Sequence, residues 1–203
     1  MKREAGKRGA KEPDQPDVRR ALVAAAFEVL REGESLSLRE VARRVGVTHP
    51  AAYHHFESKE ALLAAVTVEG FGRLDRSMED AVSGIPEEHP RERFVALGLG
   101  YVRFATANPH LFRMMFGRES DPGLVEAARP SFQRVLASVE EACRGVPSAP
   151  DPFTTTVLAW SAMHGLAALW ADGPLAAWSG EADLEPTAQR VAFLIGRLLF
   201  AED

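Results

Sequence analysis

The chain has 203 residues, of which 46% are hydrophobic, and its formal net charge is −5. This length and apolar content suffice to bury a sizeable core in one or two domains, which excludes an intrinsically disordered protein. A single cysteine, Cys143, excludes an intrachain disulfide and any metal site built from cysteine pairs.

The N-terminal stretch leads into a first helix. Residues 1–16 are rich in charge and contain glycine and proline, so we expect a mobile basic arm. Apolar residues at helical spacing predict a helix over 18–31. Along the whole chain alanine and leucine are abundant and runs of β-branched residues are scarce, which predicts an all-α fold. The apolar run at 21–27 is too short to span a membrane, so we expect no membrane association, no export and a cytoplasmic location.

Two short helices joined by a tight turn are predicted over 36–56. Ser37 followed by Glu40 forms a capping box that begins the first of them. Gly46 lies where the chain must turn, because glycine adopts positive φ without steric cost. Thr48 is a suitable N-cap for the second helix. Such a pair, a helix-turn-helix, places its second helix in the major groove of DNA.

This segment resembles a known family. The run VGVTHPAAYHHFESKEALLAAV, over 45–66, is similar to the signature of the TetR family of bacterial transcriptional regulators. It shares the glycine turn, a Tyr-x-x-aromatic recognition helix and the Ser-Lys-Glu-Ala-Leu that opens the next helix. The resemblance implies an all-α protein of about nine helices. A three-helix DNA-binding head would occupy 17–62, and a ligand-binding and dimerisation body would occupy 63–203.

Carried over by position, the resemblance implies a DNA-contacting surface on the head. Its members are Arg39, Thr48, His49, Pro50, Tyr53, His54 and Lys59. Thr48, His54 and Lys59 would hold phosphates, while the others would approach base edges. Arginine can bind guanine O6 and N7 together, and Lys59 begins a helix, where backbone N–H groups also favour a phosphate. The alternative is that all of them are ordinary exposed polar residues.

The charge distribution is consistent with a DNA-binding head. The first 60 residues contain 12 Lys and Arg against 10 Asp and Glu, whereas residues 61–203 contain 12 against 19. The basic excess is therefore local to the head, and local charge is what attracts phosphates. The arm is either a frayed terminus or an extension that reaches along the DNA with its lysines and arginines.

The chain shows no pattern typical of a metal site or an enzyme. His49, His54 and His55 lack ligand spacing, because adjacent residues on a helix point about 100° apart and no further ligand joins them. We expect no metal and no cofactor. There is no nucleophile–base pair and no phosphate-binding glycine loop, so we expect no catalysis. The alternatives are a helical ligand-binding protein or enzyme with a degenerate head, and a constitutive DNA-binding protein without an inducer.

Beyond the head, breaks at glycine and proline divide the chain into six further predicted helices, with Pro130 expected to kink one of them or to delay its start. Their ranges are 59–83, 91–107, 110–116, 124–144, 153–171 and 186–201. The first of these is long enough to connect the head to the body. The resemblance implies that it transmits ligand binding to the head.

The segment WSAMHG at 160–165 is similar to a TetR subgroup with a Trp-His-Gly pattern in its C-terminal domain. The resemblance implies a ligand pocket among the fourth to eighth helices, mostly apolar with a few polar groups. Candidate lining residues are Phe94, Tyr101, Phe104, Phe112, Met115, Trp160, Met163 and His164. The alternative is plain core, with His164 a buried histidine bonded to a backbone carbonyl.

The last predicted helix is apolar on most sides, so it must be buried on most sides, and its own core can cover only one of them. We therefore expect the eighth and ninth helices to pair with their copies as a four-helix bundle in a homodimer, as the resemblance also implies. The candidate interface residues are Val191, Leu194, Ile195 and Leu198. The sequence thus predicts a dimeric transcriptional regulator of a palindromic operator, and we expect a repressor released by a small apolar or amphipathic ligand.

Overall fold

The computed structural model describes residues 15–117, 122–144, 151–178 and 183–199, and within these ranges it contains ten α-helices and no strand. The all-α prediction is confirmed, and α9 is a five-residue addition to the expected set, so the predicted ninth helix is α10. The helices are α1 (Gln15–Arg31), α2 (Leu38–Val45), α3 (His49–His55), α4 (Lys59–Val82), α5 (Pro90–Ala107), α6 (Pro109–Met115), α7 (Pro122–Ala142), α8 (Pro152–Ala171), α9 (Pro174–Trp178) and α10 (Leu184–Leu199).

The structure bears on two predicted segments, the N-terminal arm and the helix that carries Pro130. The predicted arm falls largely outside the described residues, which begin at residue 15. Helix α7 begins at Pro122 and carries Pro130 in its interior, so it does not start late at that proline. Proline at an interior position removes one backbone donor, and its ring crowds the carbonyl four residues earlier, yet α7 continues through Pro130 as one helix of 21 residues.

Local capping explains where the head's helices begin and end. Ser37, Thr48 and Ser58 each accept a hydrogen bond from the backbone N–H three residues on, at 3.2, 3.3 and 3.1 Å. Gly46 has a φ of 79°, and its N–H donates to the carbonyl of Ala42. The predicted serine and threonine caps and the predicted glycine turn are therefore present.

The glutamate half of the predicted capping box is not formed. The carboxylate of Glu40 instead accepts hydrogen bonds from Arg43 and Arg44, which lower its pKa to about 2. Arg44 also bonds Glu32 and Glu34 at 2.7 Å each. The carboxylate of Glu40 is thus bound to two arginines and does not reach back to the helix terminus as the capping rule predicts. Through Glu32 and Glu34, Arg44 also ties α2 to the segment after α1.

Helix α4 belongs to both parts of the molecule. Its first half contributes buried Leu62 to the head, and its second half contributes buried Met78 to the body. Helix α5 lies very close to it, since a Cβ at Gly100 would come within 2.6 Å of the Ser77 carbonyl oxygen. The Ser77 hydroxyl also donates to the Gly100 carbonyl at 2.9 Å. Helices α4 and α5 are therefore held backbone to backbone.

Helix α6 contacts both the head and the end of α8. At its start, His110 lies against the turn after α1, where a Cβ on Gly33 would come within 2.8 Å of the His110 Nε2 atom. Further along α6, Arg113 donates to the Asp172 carboxylate at 2.5 Å and to the Ala171 carbonyl at 3.0 Å. This short helix therefore contacts the head at one point and the end of α8 at another.

We predict that Gly46→Ala lowers the melting temperature. No heavy atom lies within 4 Å of the position that a Cβ would take there, so the cost is backbone strain alone. Alanine in the left-handed region costs about 1 kcal/mol, or about 2–4 °C in a chain of this size. Thermal denaturation followed by circular dichroism measures the change.

Gly84→Ala is the matched control. Its Cβ would also meet open space, but its φ is not positive, so its melting temperature should be unchanged or slightly higher. Equal melting temperatures for the two variants would contradict the strained turn.

Candidate nucleic-acid interface and ligand cavities

The outer face of α3 is exposed and polar. Its inner face is fixed by Ala52, which is fully buried, and by the C-cap Phe56, whose ring lies 4.8 Å from the Arg19 guanidinium of α1. On the opposite side the rings of His49 and Tyr53 meet edge to face at 4.8 Å, and Tyr53 is 45% exposed. The helix therefore presents hydrogen-bonding aromatic groups away from the core.

All seven residues that the resemblance assigns to DNA contact lie at exposed positions. Among the described residues, Arg39 and Lys59 make no ion pair, whereas Arg43 and Arg44 are bound to carboxylates. Lys59 is the first residue of α4, directly after the Ser58 cap. Two cationic side chains near α3 are thus available to an anionic partner, and a helix N-terminus adds to the attraction at one of them.

The ranges that the structure covers contain neither a candidate membrane-spanning helix nor a candidate metal-binding group. No helix there is long and apolar enough to cross a membrane. Within the same ranges, no group of three His, Cys, Asp or Glu side chains is placed to hold a metal ion. The three histidines of α3 accordingly belong to no such group.

Two neighbouring cavities lie in the body between α4, α5, α7 and α8, and α10 closes one side of the first. Met78, Tyr101, Val135 and Trp160 line both. Each has a cavity volume of about 30 Å³. Both are narrow, so a ligand of more than a few atoms enters only if the lining side chains move apart.

The predicted pocket residues divide into two groups. Phe94, Tyr101, Trp160 and Met163 line one cavity or both. Four others lie outside the two linings, and these are Phe104, Phe112, Met115 and His164.

Local packing explains those four positions. Met115 fills the space above Gly70, where a Cβ would come within 2.8 Å of its sulfur. Phe112 lies 5.1 Å from the ring of His164, behind Tyr101. Phe104 is buried in the main core. Two aromatic residues and one methionine at helical spacing are thus core, and His164 contacts a lining residue rather than a cavity.

Several lining residues carried no motif in the sequence. Met78 comes from α4, and Ser131, Phe132 and Val135 come from α7. The helical spacing of apolar residues on these two helices was their only signal. That spacing marks an inner face but does not say which inner residues border an open space.

A hydrogen-bonded trio stands beside the cavities. The Trp160 Nε1–H donates to the Tyr101 hydroxyl at 3.1 Å, and this hydroxyl lies 2.7 Å from His164 Nδ1. Burial raises the pKa of Tyr101 and lowers the pKa of His164, so both groups are neutral. The Tyr101 hydroxyl thus accepts from Trp160 and is also hydrogen-bonded to Nδ1, with the donor of the second bond set by the tautomer of His164. The partner of His164 is this hydroxyl and not the backbone carbonyl considered from the sequence.

Helices α8 and α10 contact each other and both expose large apolar residues. Leu194 is 61% exposed and Leu198 is 75% exposed. The other large exposed apolar residues of α8, α9 and α10 are Phe153, Val157, Leu158, Leu169, Trp178 and Phe193. Exposed apolar residues that form one patch would be typical of an interaction surface.

Two of the four predicted interface residues face inward instead. Val191 and Ile195 are half-buried against the chain's own core, and Ile195 lines the first cavity. Helix α10 buries Ala188, Ala192 and Leu199 on the same side. Helix α10 carries apolar residues on its outer side as well as in its buried stripe, so the sequence did not show which of them meet the core, and of the four predicted interface residues Leu194 and Leu198 point outward.

The comparisons with known proteins agree with this geometry. The family model "Bacterial regulatory proteins, tetR family" matches residues 22–66, and "Tetracyclin repressor-like, C-terminal domain" matches 94–193. The regulator BetI of Rhizobium meliloti is 40% identical over 86 residues, which are 41% of each chain. The chain spans about half the length, or less, of the curated relatives it matches first.

Solved structures match over nearly the whole chain. A protein of unknown function from Rhodococcus sp. RHA1 superposes with a TM-score of 0.79 and 30% identity, covering 96% of this chain and 100% of that one. The transcriptional regulator FadR of Bacillus subtilis, solved with stearoyl-CoA, gives a TM-score of 0.68 at 15% identity, with 91% and 98% covered. At that identity the second likeness shows the fold alone.

We predict that Tyr101→Phe destabilises the protein by about 1–2 kcal/mol, because Trp160 and His164 each lose a hydrogen-bond partner in a buried setting. Urea denaturation measures the loss. Tyr53→Phe is the matched control, since Tyr53 is the other tyrosine of the chain and is exposed. An equal change in both variants would contradict a structural role for the trio.

Proposed function

This chain belongs to the TetR family of DNA-binding transcriptional regulators, and we propose that it acts as a homodimeric repressor that a small ligand releases from a palindromic operator. The family consists of regulators and not of enzymes. The outer face of α3 is the observation that supports the proposal, because this short capped helix packs on the head through one side and leaves the other side exposed and polar.

The proposed DNA contacts are those of the head, residues 17–62. The helix α3 would lie in the major groove, with base edges read by Arg39, His49, Pro50 and Tyr53. Phosphates would be held by Thr48, His54 and Lys59. The exposure of all seven side chains supports this assignment. Since the target is bacterial DNA, we place the protein in the cytoplasm.

The proposed dimer forms through the outward faces of α8 and α10, with Leu194 and Leu198 at its centre. Gly165 of α8 gives independent support, because a Cβ there would meet nothing within 4 Å in its own chain. Glycine inside a helix costs about 1 kcal/mol relative to alanine, and a closely packed partner helix would account for it. Two-fold symmetry then requires half-sites about one helical turn apart, or a multiple of it.

Release of DNA would follow from ligand binding in the body, residues 63–203. A ligand shifts the equilibrium only if it binds one arrangement of the heads better than the other. The cavities are narrow, so a ligand would part α7 and α8 from α4 and α5. Movement of α4 reaches the head directly through Leu62, and movement of α6 reaches it through His110.

We predict that Arg39→Ala and Tyr53→Ala each weaken operator binding about tenfold, since a good base contact contributes about 1–3 kcal/mol, and that Lys59→Ala weakens it because a phosphate loses its cationic partner. The operator is first selected from random duplex DNA with the wild-type protein, and gel shifts then give the affinities. Lys59→Ala should also reduce the salt slope of binding by about one, whereas Arg39→Ala should relax sequence preference.

Arg129→Ala is the control for these variants. Arg129 is an exposed arginine on α7 that pairs with Glu126, as an ordinary surface residue does. Its loss should leave DNA affinity unchanged. Wild-type affinity in all three head variants, or equal weakening in the control, would contradict the interface.

We predict that the double substitution Leu194→Glu with Leu198→Glu yields monomers, because it buries charge in an apolar interface. Light scattering should give the chain mass of 22.1 kDa for the variant and twice that mass for the wild type. Val125→Glu is the control, since Val125 is an exposed apolar residue of α7. A dimeric double variant, or a monomeric wild type, would count against the α8–α10 interface.

A further inference from the structure

The second cavity contains an unpaired polar atom. Ser131 of α7 is only 7% exposed, and its Oγ has no hydrogen-bond partner among the described residues. A buried helical serine commonly bonds the carbonyl four residues earlier, but this one does not. Its side chain lines the second cavity. An orphaned hydroxyl is costly inside a protein, and a ligand group can remove that cost.

The other polar groups of this cavity already have partners. The Thr156 hydroxyl donates to the Pro152 carbonyl at 2.8 Å. The Tyr101 hydroxyl is bonded on both sides within the trio. Ser131 is therefore the group in the described lining that is left to orient a ligand.

The remaining lining excludes a charged ligand. No charged side chain borders the second cavity in the part of the chain that the structure describes, and aromatic rings surround it, namely Phe71, Tyr101, Phe116, Phe132 and Trp160. His164, behind Tyr101, is neutral because burial lowers its pKa. An ion placed here would lose its hydration without gaining a counter-charge.

We infer that the second cavity binds a small, uncharged, mostly aromatic molecule whose single hydrogen-bonding group pairs with the Ser131 hydroxyl. This inference rests on the proposed effector function of the body and narrows it to one ligand class. Binding widens the cavity by displacing the side chains of α7, because Ser131 and Phe132 form its wall there.

Three probes that share a naphthalene ring system test the inference by calorimetry on the full-length protein: 2-naphthol, naphthalene and 2-naphthoate. We expect 2-naphthol to bind most tightly, naphthalene to bind more weakly, and 2-naphthoate to bind at least a hundredfold more weakly than 2-naphthol. Ser131→Ala should weaken the binding of 2-naphthol about fivefold to tenfold. It should leave the affinity for naphthalene unchanged.

Thr155→Val is the matched control. The Thr155 hydroxyl is the other buried hydroxyl without a partner in the described chain, and it does not line either cavity. Both substitutions remove an orphaned hydroxyl, so both should raise the melting temperature of the free protein. Only Ser131→Ala should change the affinity for 2-naphthol.

Failure of binding by all three probes, equal binding of 2-naphthoate and 2-naphthol, or an unchanged 2-naphthol affinity in Ser131→Ala would overturn the inference. So would a lower melting temperature for Ser131→Ala, since it would show that the hydroxyl is paired. Operator binding by the same preparations is a separate readout. If the wild-type protein does not bind an operator, the proposed regulatory function is contradicted. The probe affinities then still decide the ligand class.

Discussion

The close contact between α4 and α5 governs how the rest of the molecule is arranged. Gly100 allows the α5 backbone to lie against Ser77 and Met78, where any side chain would collide with main-chain atoms. Because α4 also carries Leu62 into the head's core, the body and the head share one rigid element. If a ligand displaces α5, we therefore expect α4 to move with it and to carry the movement towards the head.

The trio of Trp160, Tyr101 and His164 sets the chemistry of the body. It satisfies its own hydrogen bonds, and burial keeps its members neutral. The cavities beside it therefore offer aromatic surface, no charge among the described lining residues, and one hydroxyl without a partner, that of Ser131. Such a site selects for a ligand's polarity as much as for its size, since each buried polar atom of the ligand needs a partner.

Features set by a few neighbouring residues were predictable from the sequence. The Ser37, Thr48 and Ser58 caps and the Gly46 turn depend on local geometry, and all are present. Glu40 departed from its expected role because its carboxylate pairs with Arg43 and Arg44, three and four residues on. The further bonds of Arg44 to Glu32 and Glu34 join segments that are distant in the sequence, and such contacts leave no local pattern.

The body was less predictable for the same reason. Ile195 faces inward, and periodicity did not separate it from Leu194 and Leu198 because α10 carries apolar residues on its outer side as well as on its inner side. The cavity walls contributed by Met78 and Phe132 depend on how four helices meet. The position of an empty space is a property of the packing, whereas an apolar stripe on one helix is a property of the sequence.

The central claim is that the outer face of α3 lies in the major groove. Methylation interference on the selected operator tests it most directly, because dimethyl sulfate modifies guanine N7 in the major groove and adenine N3 in the minor groove. Interference at guanine N7 in two symmetric clusters, about 34 Å or a multiple of it apart, is the predicted result. Interference confined to adenine N3, or a single asymmetric cluster, would contradict it.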